Sequence, residues 1–479
     1  MSIMDPLVVL RGRSLKPIPH LASGWTVSGG GKIYTIRLRR TGRWTNGLRV
    51  TAHDFEYSWK RELDPKLAAG YAHIMYGIKG ALAYNTCKRN CARLRDRVGV
   101  KAVGDYTIRV TLQQPRPWFP QLLAHNVFFA VPRGTVERYG AEWTDSSHIV
   151  TNGPFRLAKW RHDASIELTK WHAWRGAGRI SLERVEMPMI ASGTPAVQAF
   201  QAGDVDALST QMLGPPYISR WKGKPEYYKS PQLATNYLGF NLKKVRDVDQ
   251  RRAMAMAIDR RALVDQAILS GTPADGFTPK GIPGFESIAP HSRFLPVRGN
   301  LPAARALMRN VAHPVRKITL YYPNAPGVKE GAVAIAAMWQ PLGISTTLNQ
   351  QPFNHFLQFL GPPPNADVDT YSFGWVYDFP DAINGLEVWT CGSRNNNTNR
   401  CNKRFDSLVA HARPVQDPEI RYRLYRGIEQ SMFGPNGDIP LIPLYWGTNV
   451  SLVDKRIRDS FRIDPQTFVH FDEIRVRRR

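Results

Sequence analysis

Acidic side chains are the scarce class in this chain: 39 Asp and Glu stand against 65 Lys and Arg over 479 residues, a formal net charge of +26. The excess is not gathered as a nucleic-acid footprint requires, because apart from the basic end at 475–479 no tract of five or six cations occurs in the body. It reads as a solvated basic surface, which still suits anionic membranes or acidic ligands. Long apolar runs are missing as well. The longest, at 6–10 and 127–131, fall far below the roughly 20 residues a spanning helix needs. Cysteine is sparse, with Cys87 near Cys91 and Cys391 near Cys401, each pair in a polar, turn-rich stretch without histidine at metal-ligand spacing. Two local disulfides fit better than zinc, and they point to an oxidising compartment. Yet the first 23 residues hold Arg11, Arg13 and Lys16 and no apolar core of signal-peptide length, so a misplaced or trimmed start is expected.

Catalytic signatures are absent too. No histidine pair stands at i, i+4 with an intervening Glu, no serine sits in a nucleophile elbow, and the glycines give no dinucleotide fingerprint. The run Ser28-Gly29-Gly30-Gly31-Lys32 lacks phosphate-loop spacing and leads into a strand, which makes it a hairpin turn. No cofactor or metal is therefore expected.

What is present is an ordinary globular composition, 43% apolar and 22% charged, long enough for roughly three domains. Alternation predicts strands over 32–39 and 105–112 and a strand pair within 156–170. Thr51, with Asp54 three residues on, predicts a helix over 51–63 that stops at Asp64-Pro65. Further along, βα alternation begins: a helix at 194–202 ended by Gly203, a short strand at 204–208, and helices at 249–258 and 260–270 split by Asp259 as a cap. A strand at 318–322, an apolar helix at 330–340 and a strand at 344–348 spell a crossover within a helix-covered sheet. A proline loop follows at 361–365.

The richest stretch is Tyr371-Ser372-Phe373-Gly374-Trp375-Val376-Tyr377-Asp378-Phe379-Pro380-Asp381, a strand running into a proline turn. Glycine in a strand admits another backbone, and a carboxylate among aromatic rings can pair with a desolvated ammonium. Two other readings stand beside it: Asp378 as a cap for the next turn, and Asp378 with Asp381 as the acid/base pair of a glycan-active hydrolase.

Nearly the whole chain resembles the family 5 solute-binding proteins of ABC importers, and most of all the oligopeptide binders. The resemblance rests on Trp44-Thr45-Asn46-Gly47 with Thr51-Ala52-His53-Asp54, on 99–107, on Thr151-Asn152-Gly153-Pro154-Phe155, on 200–206, on Phe240-Asn241-Leu242 with the 252–259 helix, and on Ile442-Pro443-Leu444-Tyr445. It implies an α/β, two-lobed type II periplasmic-binding fold with an additional small, mainly β domain. Residues 5–131 would form the small domain, 132–233 with 448–479 the large domain of the same lobe, and 234–447 the second lobe. The resemblance implies a further first strand ahead of the point that Asp5 matches, in keeping with the expected misplaced or trimmed start.

The implied function is peptide binding for a membrane permease, by a periplasmic monomer that is no enzyme and binds no nucleic acid. The resemblance selects the ammonium reading of Asp378, sets Gly374, Trp375 and Val376 along the ligand backbone, and adds Tyr71 and Tyr445 to the binding residues. Ser372 and Val328 stand where oligopeptide binders place groups for the ligand's carboxylate end, and Ala234 and Val376 replace a cystine of the relatives. Within the same family the ligand could instead be a nickel chelate, an opine or a sugar.

Overall fold

The computed structural model describes residues 2–11, 15–190, 193–209, 212–287, 292–361 and 367–477. The proline loop, past Gly361, and the last two residues of the basic end lie outside them.

The first strands are β1 (Val8–Arg11) and β2 (Lys16–Pro19), an antiparallel pair. A four-stranded antiparallel sheet follows, ordered β3 (Ala22–Ser28), β4 (Ile33–Leu38), β6 (Thr107–Thr111), β5 (Val100–Ala102). The helix Ala52–Glu62 packs on it, with buried Phe55 and Trp59. Its start follows from the sequence: the Asp54 carboxylate accepts from the Thr51 amide at 2.7 Å and from the Thr51 hydroxyl at 3.1 Å. Trp44 Nε1 donates to the same carboxylate at 3.4 Å, while the Thr45 amide reaches the Thr151 carbonyl at 2.7 Å. Two of the recognised motifs are thus one piece of scaffolding.

A three-stranded meander, β7 (Phe155–Arg161), β8 (Ser165–Lys170) and β9 (Arg184–Pro188), comes next. The largest sheet has six strands, β10 (Tyr227–Phe240), β11 (Thr272–Pro273), β12 (Lys317–Pro323), β13 (Ser345–Gln351), β14 (Thr370–Val376) and β15 (Leu441–Leu452), in the order β11-β15-β10-β14-β12-β13. β12 runs parallel to both β13 and β14, and the helix Val328–Trp339 makes the expected crossover. Trp339 is fully buried and donates from Nε1 to the Met254 carbonyl at 3.0 Å.

β10 and β15 pair along almost their whole length, with a register shift between Pro231 and Thr235. At one end Leu441, Ile442 and Leu444 join the main core; at the other Val450 and Leu452 pack with Val197, Phe200, Ile218 and Trp221. The fully buried Arg260 ties the helices to β15, donating to Pro443 O at 2.7 Å and Pro296 O at 3.0 Å.

Two expectations shift. The strand at 204–208 is reduced to a bridge between Ala207 and Val453, because the approaching β15 end offers a single partner position. The helix after Asp259 begins as predicted, the Asp259 carboxylate accepting from Ala262 N at 2.7 Å, but it widens into a π turn over Leu263–Ile268 and stops at Leu269, whose φ is +62°.

Both cysteine pairs are bridged, with Cα atoms 5.7 Å apart for Cys87–Cys91 and 4.4 Å for Cys391–Cys401. Thiol titration of the denatured, unreduced protein is expected to find no free thiol. The double substitution Cys391→Ala/Cys401→Ala should lower unfolding free energy by about 2–3 kcal/mol, the loop-closure value for a loop of this size, as read by denaturant melts.

Candidate functional site

β14 is hydrogen-bonded to β10 along its length, from Phe240↔Thr370 to Ala234↔Val376. Its other edge meets β12 only at Thr370 and Tyr371. Among the described residues, 372–376 therefore present a strand edge with no ladder partner. Such an edge can accept an extended backbone as a further strand.

Gly374 lies in that open stretch. It sits opposite Asn236, which in turn sits opposite Tyr445, so these three share one face of the sheet. A Cβ on Gly374 would come within 3.1 Å of Asn236 Oδ1. A side chain here would press on the end of Asn236, which was not singled out from sequence. Burial pushes the Tyr445 phenol well above its ordinary range. Val376, at the end of the strand, is exposed.

The open edge leads to Asp378. Its carboxylate accepts from Asn384 Nδ2 at 3.1 Å, and its own amide donates to Asn384 Oδ1 at 3.0 Å. Trp375 Nε1 donates to the same Oδ1 at 3.1 Å, and Gln466 Nε2 donates to the Asp378 carbonyl at 2.6 Å. Asn384 is thus the hub that orients both Trp375 and Asp378. A loop asparagine six residues on looks like any turn former, and nothing in the sequence marked it.

Burial raises the carboxyl of Asp378 above its usual range, with Glu387 adding to the effect, while Asn384 and His73 pull it down. The reciprocal effect appears on Tyr71, whose phenol is raised by burial and by the charge of Asp378. Tyr71 and His73 are thus near enough to Asp378 for their charges to act on one another. The Tyr71 ring lies 5.8 Å from His73 and 5.7 Å from His125. His125 accepts the Val127 amide at Nδ1, 3.3 Å, and burial with the His73 charge pushes its imidazole down to about 4, so it stays neutral. The two histidines extend a wall of which the sequence reading held only Tyr71.

Asp381 belongs elsewhere. It is 3% exposed, accepts the Ile383 amide at 3.1 Å, lies 3.7 Å from Arg421, and is pushed up to about 6 by burial. It therefore offers no second solvent-facing carboxylate for hydrolytic chemistry. Just before it, Phe379 stacks parallel to Trp118, centroids 6.3 Å apart, so the segment carrying Asp378 packs directly on a residue from the first third of the chain. Among the described residues, one grouping of metal-capable side chains occurs, Glu142, Asp145 and His148, far along the chain from Asp378 and largely exposed. No helix there is long and apolar enough to cross a membrane.

Residues 16–397 match the family of bacterial extracellular solute-binding proteins, family 5 Middle. The chain belongs to this family. It is 29% identical over 480 residues to the dipeptide-binding protein DppE of Bacillus subtilis, covering 96% of this chain and 84% of that one. It is also 29% identical over 447 residues to the periplasmic oligopeptide-binding protein OppA of Escherichia coli, covering 91% and 80%. The murein tripeptide binding protein MppA of Escherichia coli superimposes with a TM-score of 0.82 at 25% identity, over 99% of this chain and 92% of that one. The fold is accordingly the two-lobed α/β type II binding fold, and members of the family are binding proteins.

The sign of the Asp378 shift gives a prediction. A carboxyl raised in the folded state favours the protonated form there, so ionising it costs stability as pH climbs from its unfolded to its folded value. Asp378→Asn should therefore raise the melting temperature of the ligand-free protein at pH 8 and leave it nearly unchanged at pH 4. Equal shifts at both values would contradict the assignment.

Proposed function

We propose that this chain is the peptide-binding component of an ABC importer, working outside the cytoplasmic membrane as a monomer and delivering its ligand to a permease. The observation that carries the reading is the unpaired edge of β14 over 372–376, leading to a half-buried carboxylate at Asp378. A peptide would add as a strand along Gly374, Trp375 and Val376, and its α-ammonium would meet Asp378 beneath Tyr71. Tyr445, on the face that carries Gly374, would line the same cleft.

The proposed division places 5–131 and 132–233 with 448–479 in one lobe and 234–447 in the other. The two long strands β10 and β15, which run from one hydrophobic cluster to another, support the passage between lobes near 233 and 448. Closure about that pair would enclose the ligand.

The relatives' names support peptides: DppE is a dipeptide binder, and OppA of Haemophilus influenzae has been solved in complex with the peptide RPPGFSPFR. One relative of equal similarity, YgiS of Escherichia coli, is named a probable deoxycholate-binding protein. An anionic ligand of that kind would face the Asp378 carboxylate with like charge, which favours an ammonium-bearing solute here.

Isothermal titration with a peptide and its N-acetylated form tests the proposal. The free amine is expected to bind at least about thirtyfold more tightly, the loss typical of one member of a desolvated charge pair. Asp378→Asn should erase the difference. Equal affinity for both forms would remove Asp378 from the role, and steady hydrolysis of an oligosaccharide would favour the hydrolase reading instead.

A further inference from the structure

The net charge is spread over the molecule, and one of the places where it gathers is closed by a disulfide. The helix Ala81–Asn85 is followed by the loop that Cys87–Cys91 closes and by the short helix Cys91–Asp96. Between 87 and 97 stand Lys88, Arg89, Arg93, Arg95 and Arg97, all exposed, against the single carboxylate of Asp96. Among the described residues none of these five cations forms an ion pair. The neighbouring Asp64 is engaged by the Tyr84 phenol. Arg95 also lies close enough to Arg61 and Arg133 for all three to act on Tyr57, where the Arg133 guanidinium stacks 5.5 Å from the ring centre and pairs with Glu137. One turn before the loop, Leu82 is half exposed.

We propose that this disulfide-braced basic loop is a docking surface for anionic phospholipid membrane. The disulfide holds like charges together that a free loop would spread apart, so the electrostatic field is focused at small entropic cost. None of residues 86–97 is a buried polar side chain, so the loop itself offers no built cradle, which argues for an extended anionic surface over one small anion. The loop also lacks the exposed aromatic rings on which nucleic-acid bases stack. Leu82 at its base is placed to enter the headgroup layer while arginines stay at the phosphates.

The test is co-sedimentation of the disulfide-intact protein with phosphatidylcholine vesicles, with and without about one third phosphatidylglycerol. The protein should bind only the anionic vesicles, and binding should fall steeply as salt is raised. Arg89→Glu/Arg93→Glu/Arg97→Glu should weaken it at least about tenfold, and the corresponding Gln variant should weaken it less. Arg220→Glu/Lys222→Glu/Lys224→Glu, an equal change in net charge on exposed residues near the far end of β10, should keep most of the binding. Inorganic phosphate at matched ionic strength should not displace the protein. Undiminished binding by the loop variants, an equal loss in the control, equal binding to neutral vesicles, or displacement by phosphate would each overturn the proposal. Thermal melts of every variant establish that the folded protein is being compared.

Discussion

The antiparallel pairing of β10 with β15 is the constraint on which the remainder depends. Two strands separated by some two hundred residues of chain run side by side, and every element between them must be accommodated by that closure. The pair feeds the six-stranded sheet at one end and a separate cluster around Phe200 and Trp221 at the other. The register slips between Pro231 and Thr235, where proline can supply no amide to the ladder. Leu233, inside the slip, finds other partners: its amide donates to Pro465 O and its carbonyl accepts from Tyr377 N, both at 2.8 Å. Those two bonds link the crossing point to the segment carrying Asp378 and to the C-terminal segment that supplies Gln466.

The candidate site follows from this arrangement. Because β10 saturates one edge of β14, and β12 peels away after Tyr371 toward β13, the other edge of β14 is left open. An unpaired strand edge invites aggregation unless it is covered or kept short. Here it is five residues long, and it ends against Asn384, the Phe379–Trp118 stack and the Tyr71 wall. The geometry that limits unwanted pairing also defines where a short extended ligand would fit.

Much of the fold was legible because its signals are local. The helix after Thr51 declared itself by an N-terminal carboxylate three residues away, and the β12–helix–β13 crossover by an apolar helix between two alternating strands. The short strand expected near Asp204 failed because strand identity is decided by partners, and only Ala207 acquires one. The site was legible only in part. Gly374, Trp375 and Asp378 stood out as glycine, aromatic and carboxylate in one short stretch, and Tyr71 came only through resemblance. Asn236, Asn384, His73 and His125 did not emerge, since their significance arises from contacts that span loops or sheet rows. The open edge itself is a property of where β12 diverges, which no local pattern encodes.

The motifs that identify the family mostly hold the scaffold together. Asp54 gathers Trp44 and Thr51, Thr45 binds Thr151, and Arg260 pins Pro443, so the recognisable residues report architecture. On the proposed reading, ligand chemistry would be left to a backbone edge and one carboxylate, neither of which reads side chains. Backbone hydrogen bonds are common to all peptides, and an α-ammonium is common to all free N-termini, so such a site discriminates by chain end and extension more than by sequence. The raised carboxyl of Asp378 fits this economy. Burial has already made its charge costly, a hydrogen bond from Asn384 and the His73 charge offset only part of that cost, and on the proposed reading an incoming ammonium would relieve the remaining penalty as it binds.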